Sequence, residues 1–327
     1  MNQIFLNFFK RNKREVTTAI ALIIVIIVFT LMSPRYFKYD NLIDIIQQGT
    51  VNAFLAMGIT IVIITAGIDL SVGSAMAVVL VTCAELSSHG VNVLITLLVG
   101  LLVGAFIGVL NGLLVTKMKL QPFIATLGMM EALRGVAYVI SGGQPVLNVS
   151  GSFRNFFQFE VIRGVRMSMI YMFLLAAIFG IILRRKRTGI YIYAIGSNEE
   201  ATKLSGINID RYKVIAYVLC GIGAAIAGMV TMARLGTGEP AAGQGYETMA
   251  IAAAAIGGTS LAGGKGSMAG TVLGAFTLSA LKIGLIVIGM DTYYQYIAIG
   301  AIILLATYIE NIQMFVIHMA HKFFKKK

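Results

Sequence analysis

Charge is scarce in this chain. Only 12% of its 327 residues are Asp, Glu, Lys or Arg, against about 25% in an average soluble domain. The hydrophobic fraction is 58%, where a soluble domain has about 45–50%. A soluble fold is therefore excluded. Cysteine is nearly absent too: Cys83 and Cys220 both lie inside apolar stretches, with no metal-binding or disulfide-framework spacing. The three histidines, His89, His318 and His321, cluster with nothing. Acidic residues number 14 against 26 basic ones. In a soluble protein that imbalance would point to nucleic acid. Here the basic residues fall between apolar runs, which makes them topology signals and lipid-surface contacts and leaves no nucleic-acid partner to expect. A phosphate-binding P-loop is missing as well. The nearest approach, Gly258-Thr259-Ser260-Leu261-Ala262-Gly263-Gly264-Lys265-Gly266, misplaces one glycine and has Gly266 where Ser or Thr would hold magnesium. This chain alone does not hydrolyse ATP.

Long apolar runs are what the sequence has instead. They fall at about 16–33, 44–66, 71–87, 93–115, 122–141, 168–183, 213–233, 248–262, 268–290 and 294–312. A helical crossing needs roughly 20 apolar residues, so the expected fold is all-α: a polytopic bundle of about ten spans, with eight as the competing count. The four prolines (Pro34, Pro122, Pro145, Pro240) sit at or just outside span ends, where no helix hydrogen bond is lost. The first run follows Lys10, Arg11, Lys13 and Arg14, as in a signal peptide, but Thr30-Leu31-Met32-Ser33-Pro34 offers no small-x-small cleavage site, and a retained helix is expected. With the N-terminus cytoplasmic, 18 of the 26 basic residues fall in inner segments: 10–14, 117–119, 184–187, 203–213, Lys265 and the tail. Five fall outside: Arg35, Lys38, Arg154, Arg163 and Arg166. That asymmetry places both termini inside. The expected organisation is a cytoplasmic segment 1–15, a membrane domain 16–312 with a cytoplasmic segment at 184–213, and a basic tail 313–327.

Polar groups within spans are costly and so are functional candidates. Asp69, between the second and third spans, either caps the third helix in an exposed turn or is offered to a solute. Glu131 and Arg134 lie three apart on the fifth span, close enough to pair and neutralise each other, with contact to a solute as the alternative. Lys282 falls near the middle of the ninth span and needs a wet interior or a carboxylate. Gln47, Gln48, Asn52 and Asn111 could line a path for a hydroxylated solute, although helix packing explains each of them equally well. Gly100, Gly104, Gly108 and Gly112 recur every four residues, as do Gly266, Gly270 and Gly274. Such stripes let backbones approach closely in lipid, for a moving pathway or for static packing.

The segment from Arg184 to Lys213 opens on a basic cluster. Ser197 or Asn198 can cap a short helix carrying Glu199 and Glu200 in its first turn, and Gly206 can end it. The motif Glu200-Ala201-Thr202-x-x-x-Gly206 resembles the loose E-A-A-x-x-x-G pattern of ABC importer permeases. Longer blocks strengthen the resemblance: Ala66-Gly67-Ile68-Asp69-Leu70-Ser71-Val72-Gly73-Ser74, Pro122-Phe123-Ile124-Ala125-Thr126-Leu127-Gly128, Tyr193 to Asn208, and Gly257 to Gly266. Together they are similar to permeases of bacterial ABC importers of the ribose/xylose/galactose branch. Lys282 departs from that family, where asparagine is more usual. The resemblance implies a homodimer in the bacterial cell membrane, with its pathway at the centre. It also implies a separate ATPase docked on Glu200, Ala201 and Gly206, and a sugar-binding protein on the outer face. An ion-coupled secondary transporter using Asp69, Glu131 and Lys282 is the rival reading. A membrane enzyme is disfavoured, since no metal cluster, nucleophile–base pair or cofactor motif occurs.

Overall fold

The computed structural model describes residues 13–302 and residue 304. The chain runs through α1 (Lys13–Met32), a 3-10 turn (Pro34–Phe37), α2 (Tyr39–Ile64), α3 (Val72–Ser88), α4 (Val93–Thr116) and α5 (Pro122–Ile140). It continues through α6 (Gly151–Gln158), a hairpin of β1 (Glu160–Ile162) and β2 (Val165–Arg166), and α7 (Met167–Arg185). Then come α8 (Arg187–Ser197), α9 (Glu199–Leu204), α10 (Ile209–Leu235), α11 (Tyr246–Ile256) and α12 (Met268–Val287). A further helical stretch covers 292–302. The tenth expected span, 294–312, and the basic tail lie largely outside the described residues.

Local chemistry starts these helices where the sequence predicts. Asn92 accepts from Leu94 N at 2.8 Å to open α4, Pro122 stands in the first turn of α5, and Ser267 accepts from Gly270 N at 3.1 Å to open α12. Each satisfies, or in proline's case removes, one of the orphan donors of a helix start. Gly236, left-handed at φ +73°, ends α10.

Seven of the described helices are long and apolar enough to cross a membrane: α1, α2, α4, α5, α7, α10 and α12. The expected third and eighth spans are shorter. α3 has 17 residues and α11 only 11, about 26 Å and 17 Å of helix against a hydrocarbon core of about 30 Å.

Two helices form the centre. From Val51 to Ile64 every residue of α2 is buried, and α10 packs beside it with most of its length buried. α1 lies on the periphery with 11% of its apolar window buried, against 83% for α2. It joins through Phe29, Tyr36, Ile45, Leu281 and Leu285, with Tyr36 donating to Ala280 O at 2.8 Å.

The glycine stripe of α4 is a packing device. A side chain at Gly104 would meet the backbone of Gly221, one at Gly108 the backbone of Tyr217 and Val218, and one at Gly112 the Cα of Val214. Gly270 and Gly274 press in the same way on the backbone of Gly257 and Ala253. The stripes thus bring α4 onto α10 and α12 onto α11.

The basic segments gather at one end of the bundle. Lys119, Lys203 and Lys213 line one cavity there. Arg184 lies 3.7 Å from Glu15 at the start of α1, and Gly264 N donates to Ile64 O at the end of α2 at 2.9 Å.

Gly108→Leu is expected to cost about 3 kcal/mol or more, because the obstructing atoms are backbone and cannot turn aside. Gly180→Ala, which meets only Met268 Cβ at 4.0 Å, should be neutral. Thermal unfolding of the detergent-solubilised variants measures both.

Candidate functional site

The chain between α2 and α3 is not helical, and neither is the chain between α10 and α11. Both interruptions lie inside the bundle. An open backbone segment at membrane depth is tolerated only where protein covers it or where it lines a wet cavity, so the partners of each segment decide what it can do.

The first interruption, residues 65–71, folds back into the core. Asp69 is 2% exposed and accepts from Ser71 N at 2.9 Å and Ser71 Oγ at 2.7 Å. Asn111 Nδ2 on α4 donates to both Asp69 oxygens, at 3.4 and 3.3 Å, and to Ser71 Oγ at 2.7 Å. Leu70 N donates to Thr126 Oγ1 at 3.1 Å, and Tyr217 donates to Ile68 O at 3.2 Å. Asp69 and Asn111 are therefore brought together, but in a closed and dry cluster that ties α4, α5 and α10 to the turn. The exposed turn considered for Asp69 is overturned: the carboxylate is needed inside, where Ser71 and Asn111 supply donors that water cannot reach.

The second interruption behaves differently. Gly238 packs on Ala84, near one end of α3, while Gly243 packs on Gly73, at its other end. Residues 238–243 thus descend along about three turns of α3. Gly238 and Val146 exchange two backbone hydrogen bonds, at 2.7 and 3.0 Å. Arg134 Nη1 donates to Pro240 O at 2.6 Å and to Ala242 O at 2.8 Å. Ala241 N reaches Glu239 Oε1 at 3.2 Å, and Gly245 N reaches Glu247 Oε1 at 3.1 Å. Gly73 is obligatory here, since the Gly243 carbonyl and the Glu247 carboxylate fill the space a side chain would need. At the foot of the descent Gln244, Gly245 and Thr248 are exposed.

Arg134 consequently does not pair with Glu131, as their spacing allowed. The carbonyls of Pro240 and Ala242 hold the guanidinium instead. Glu131, the tenth residue of the 19-residue α5, is left exposed, with no cation within ion-pair reach among the described residues. A carboxylate such as Asp at the centre of a span costs about 2.5–3.5 kcal/mol on insertion scales, so this face of α5 is not suited to lipid.

The other candidates scatter. Gln48 donates to Tyr246 Oη at 3.3 Å and accepts from Arg234 at 3.5 Å, at the edge of the second interruption. Asn52 is buried with its Oδ1 unpartnered. Lys282 is half-buried on α12 and has no carboxylate partner among the described residues. It joins neither interruption. Sequence reasoning missed Gln244, Glu247 and Thr248. The signal that could have found them is the Gly/Pro-interrupted run 236–245 beside two short apolar helices, a pattern that marks binding sites in transporters built from broken helices.

At the basic end, α9 forms as expected. Asn198 caps it through Ala201 N at 2.9 Å, and Gly206, at φ +80°, closes it. Glu199 pairs with Lys213 at 2.7 Å and Asp210 with Lys117 at 3.0 Å, which fixes α9 and α10 against the α4–α5 turn. Glu200, Ala201 and Gly206 are exposed, and so is Leu204, at 89%. Beside them opens a cavity of about 660 Å³ lined by Lys119, Lys203, Lys213, Glu199 and Asp210. Tyr193 on α8 donates to Gly266 O at 2.7 Å. Burial raises its pKa above the ordinary phenol value and keeps that proton in place.

The chain thus carries a closed polar lock, a break that opens at the protein surface and a capped helix protruding at the basic end. Residues 41–307 match the family described as the permease component of the branched-chain amino acid transport system. The chain belongs to this family. It is 43% identical to the ribose import permease of Escherichia coli strain K12 over 300 residues, covering 91% of this chain and 94% of that one. It is 39% identical to the ribose import permease of Haemophilus influenzae over 300 residues, covering 91% and 93%. It is 38% identical to the D-allose transport system permease of Escherichia coli strain K12 over 297 residues, covering 90% and 91%. No solved structure matches. The chain is thus a multi-pass membrane permease, and its described residues form an almost wholly helical bundle.

Asn111→Leu should destabilise this permease by about 2–3 kcal/mol, because it strips the buried Asp69 and Ser71 of a shared donor. Gln48→Leu, at a half-exposed position, should cost less than about 1 kcal/mol. Thermal unfolding in detergent micelles distinguishes them.

Proposed function

We propose that this chain is the membrane-spanning permease of an ATP-binding cassette importer that passes ribose or a similar monosaccharide into the bacterial cell. The observation that carries the reading is its likeness, across about nine-tenths of the chain, to import permeases for ribose and D-allose. The family's own description names branched-chain amino acids, and leucine is therefore the alternative cargo to test. In this reading the chain crosses the inner membrane ten times with both termini cytoplasmic, α3 and α11 completing their crossings through the non-helical segments beside them. Two copies enclose the passage. The membrane domain is 16–312, with 1–15 and 313–327 as cytoplasmic ends.

The segment 184–213 receives the ATPase. Glu200 and Ala201 on α9 and Gly206 beyond it flank Leu204, whose exposed side chain suits an apolar pocket on a partner. The Glu199–Lys213 pair ties α9 to α10, and the Lys117–Asp210 pair ties α10 to the α4–α5 turn. An extracytoplasmic sugar-binding protein delivers the solute at the opposite end. Among the proposed pathway residues, Gln48 borders the break directly. Asp69 and Asn111 shape the passage by locking the 65–71 turn, and Asn52 and Lys282 act from the flanking helices α2 and α12.

In proteoliposomes carrying the permease, its ATPase and its binding protein, uptake of labelled ribose should require ATP and persist without ion gradients. Gly206→Pro, Glu200→Lys and Leu204→Asp should each lower uptake and ATPase co-purification about tenfold or more, with membrane insertion unchanged. ATP-independent uptake driven by a proton or sodium gradient would refute the reading, and uptake of leucine but not of sugars would move the cargo to the amino-acid class.

A further inference from the structure

Glu131 is an exposed carboxylate halfway along a membrane helix, and its expected partner is engaged elsewhere. Its neighbours on the same face of α5 are Gly128, Ala132 and Gly135, all exposed and small. Arg134, one turn along, is bonded through Nη1 alone. Its Nε and Nη2 keep donors with no partner among the described residues. The Arg134 side chain reaches the 236–245 descent at Pro240 and Ala242, and Glu247, which holds Gly245 N, stands at the foot of that descent beside exposed Gln244. Two helices and one non-helical segment thus bring two carboxylates, a guanidinium and a primary amide to one mid-membrane surface that the single chain leaves uncovered.

We propose that Glu131, Arg134, Gln244 and Glu247 form a solute-binding surface in the passage, selective for neutral polyhydroxylated solutes. Carboxylates accept from neighbouring hydroxyls, while the free guanidinium donors and the amide bond the ring and hydroxyl oxygens. Two negative groups against one positive group repel anions, so phosphorylated sugars are turned away. The small side chains of Gly128, Ala132 and Gly135 leave width for a solvated ring. The inference rests on the permease reading, with the matching face of a second copy as the opposite wall.

The test uses the complete importer in proteoliposomes and reads two quantities separately. Ala132→Cys, beside Glu131, and Leu102→Cys, on the exposed apolar face of α4, are treated with a membrane-impermeant methanethiosulfonate during ATP turnover. Native Cys83 and Cys220 are buried. Ala132→Cys should react about tenfold or more faster than Leu102→Cys, since thiolate forms only where water reaches. Glu131→Leu should lower ribose uptake about tenfold with the assembled complex unchanged in amount, and Glu131→Gln, which keeps an acceptor but loses the charge, should lower it by less than Glu131→Leu. Equal, slow labelling of both cysteines would overturn the proposal, and so would wild-type uptake by Glu131→Leu. If the unaltered importer moved no sugar, the cargo reading would fail, and the labelling rates would still decide whether this face is wet.

Discussion

A peptide group that leaves a helix inside a membrane has to find its hydrogen bonds within the protein or in enclosed water. Two stretches of this permease leave helical geometry at that depth, and the rest of the architecture follows from how they are satisfied. Ser71, Asn111, Thr126 and Tyr217 close the 65–71 turn around Asp69. Arg134, Glu239 and Glu247 do the same for 238–245. The partners of the first break come from α4, α5 and α10 and its own turn, and those of the second from α5, α11 and the segment itself, so each break also cross-links the bundle. Glycines on α4 and α10 make this possible by letting the helix backbones touch.

The two breaks differ in a way that bears on transport. The first buries its polar cluster: Asp69, Ser71 and Asn111 are each at most 2% exposed. The second opens to the surface at Gln244, Gly245 and Thr248. α10 connects the second break to the basic end, running from the Asn208 cap beside α9 to Gly236 at the top of the descent. Under the importer reading, a push on α9 travels along this one stiff helix to the segment that meets the solute. The Lys213–Glu199 pair joins the lever to the rod.

Much of this was legible in the sequence because the signals were local or long. Hydropathy located the seven long helices, Asn198 and Gly206 bounded α9, and the basic runs between apolar stretches supplied the Lys119, Lys203 and Lys213 that line one cavity. The pairing of Glu131 with Arg134 was misread because spacing along one helix says nothing about Pro240 and Ala242, more than a hundred residues away. Their carbonyls compete for the guanidinium and hold it. The run from Thr237 to Gly245 reads as an ordinary outer loop, and only the contact of Gly243 with Gly73 pulls it inward. Burial of Asp69 was hidden for the same reason, since its donors come from α4 as well as from its own turn.

The account turns on water reaching the second break while the helices around it stay dry. Hydrogen–deuterium exchange of the permease in lipid nanodiscs measures this directly. Amides of 244–248 should exchange about a hundredfold faster than those of 222–233 and 250–256 on either side, although all three lie within the bundle. Protection of 244–248 equal to that of its neighbours would mean that the break is sealed, and the polar surface at mid-membrane would have no solute to meet.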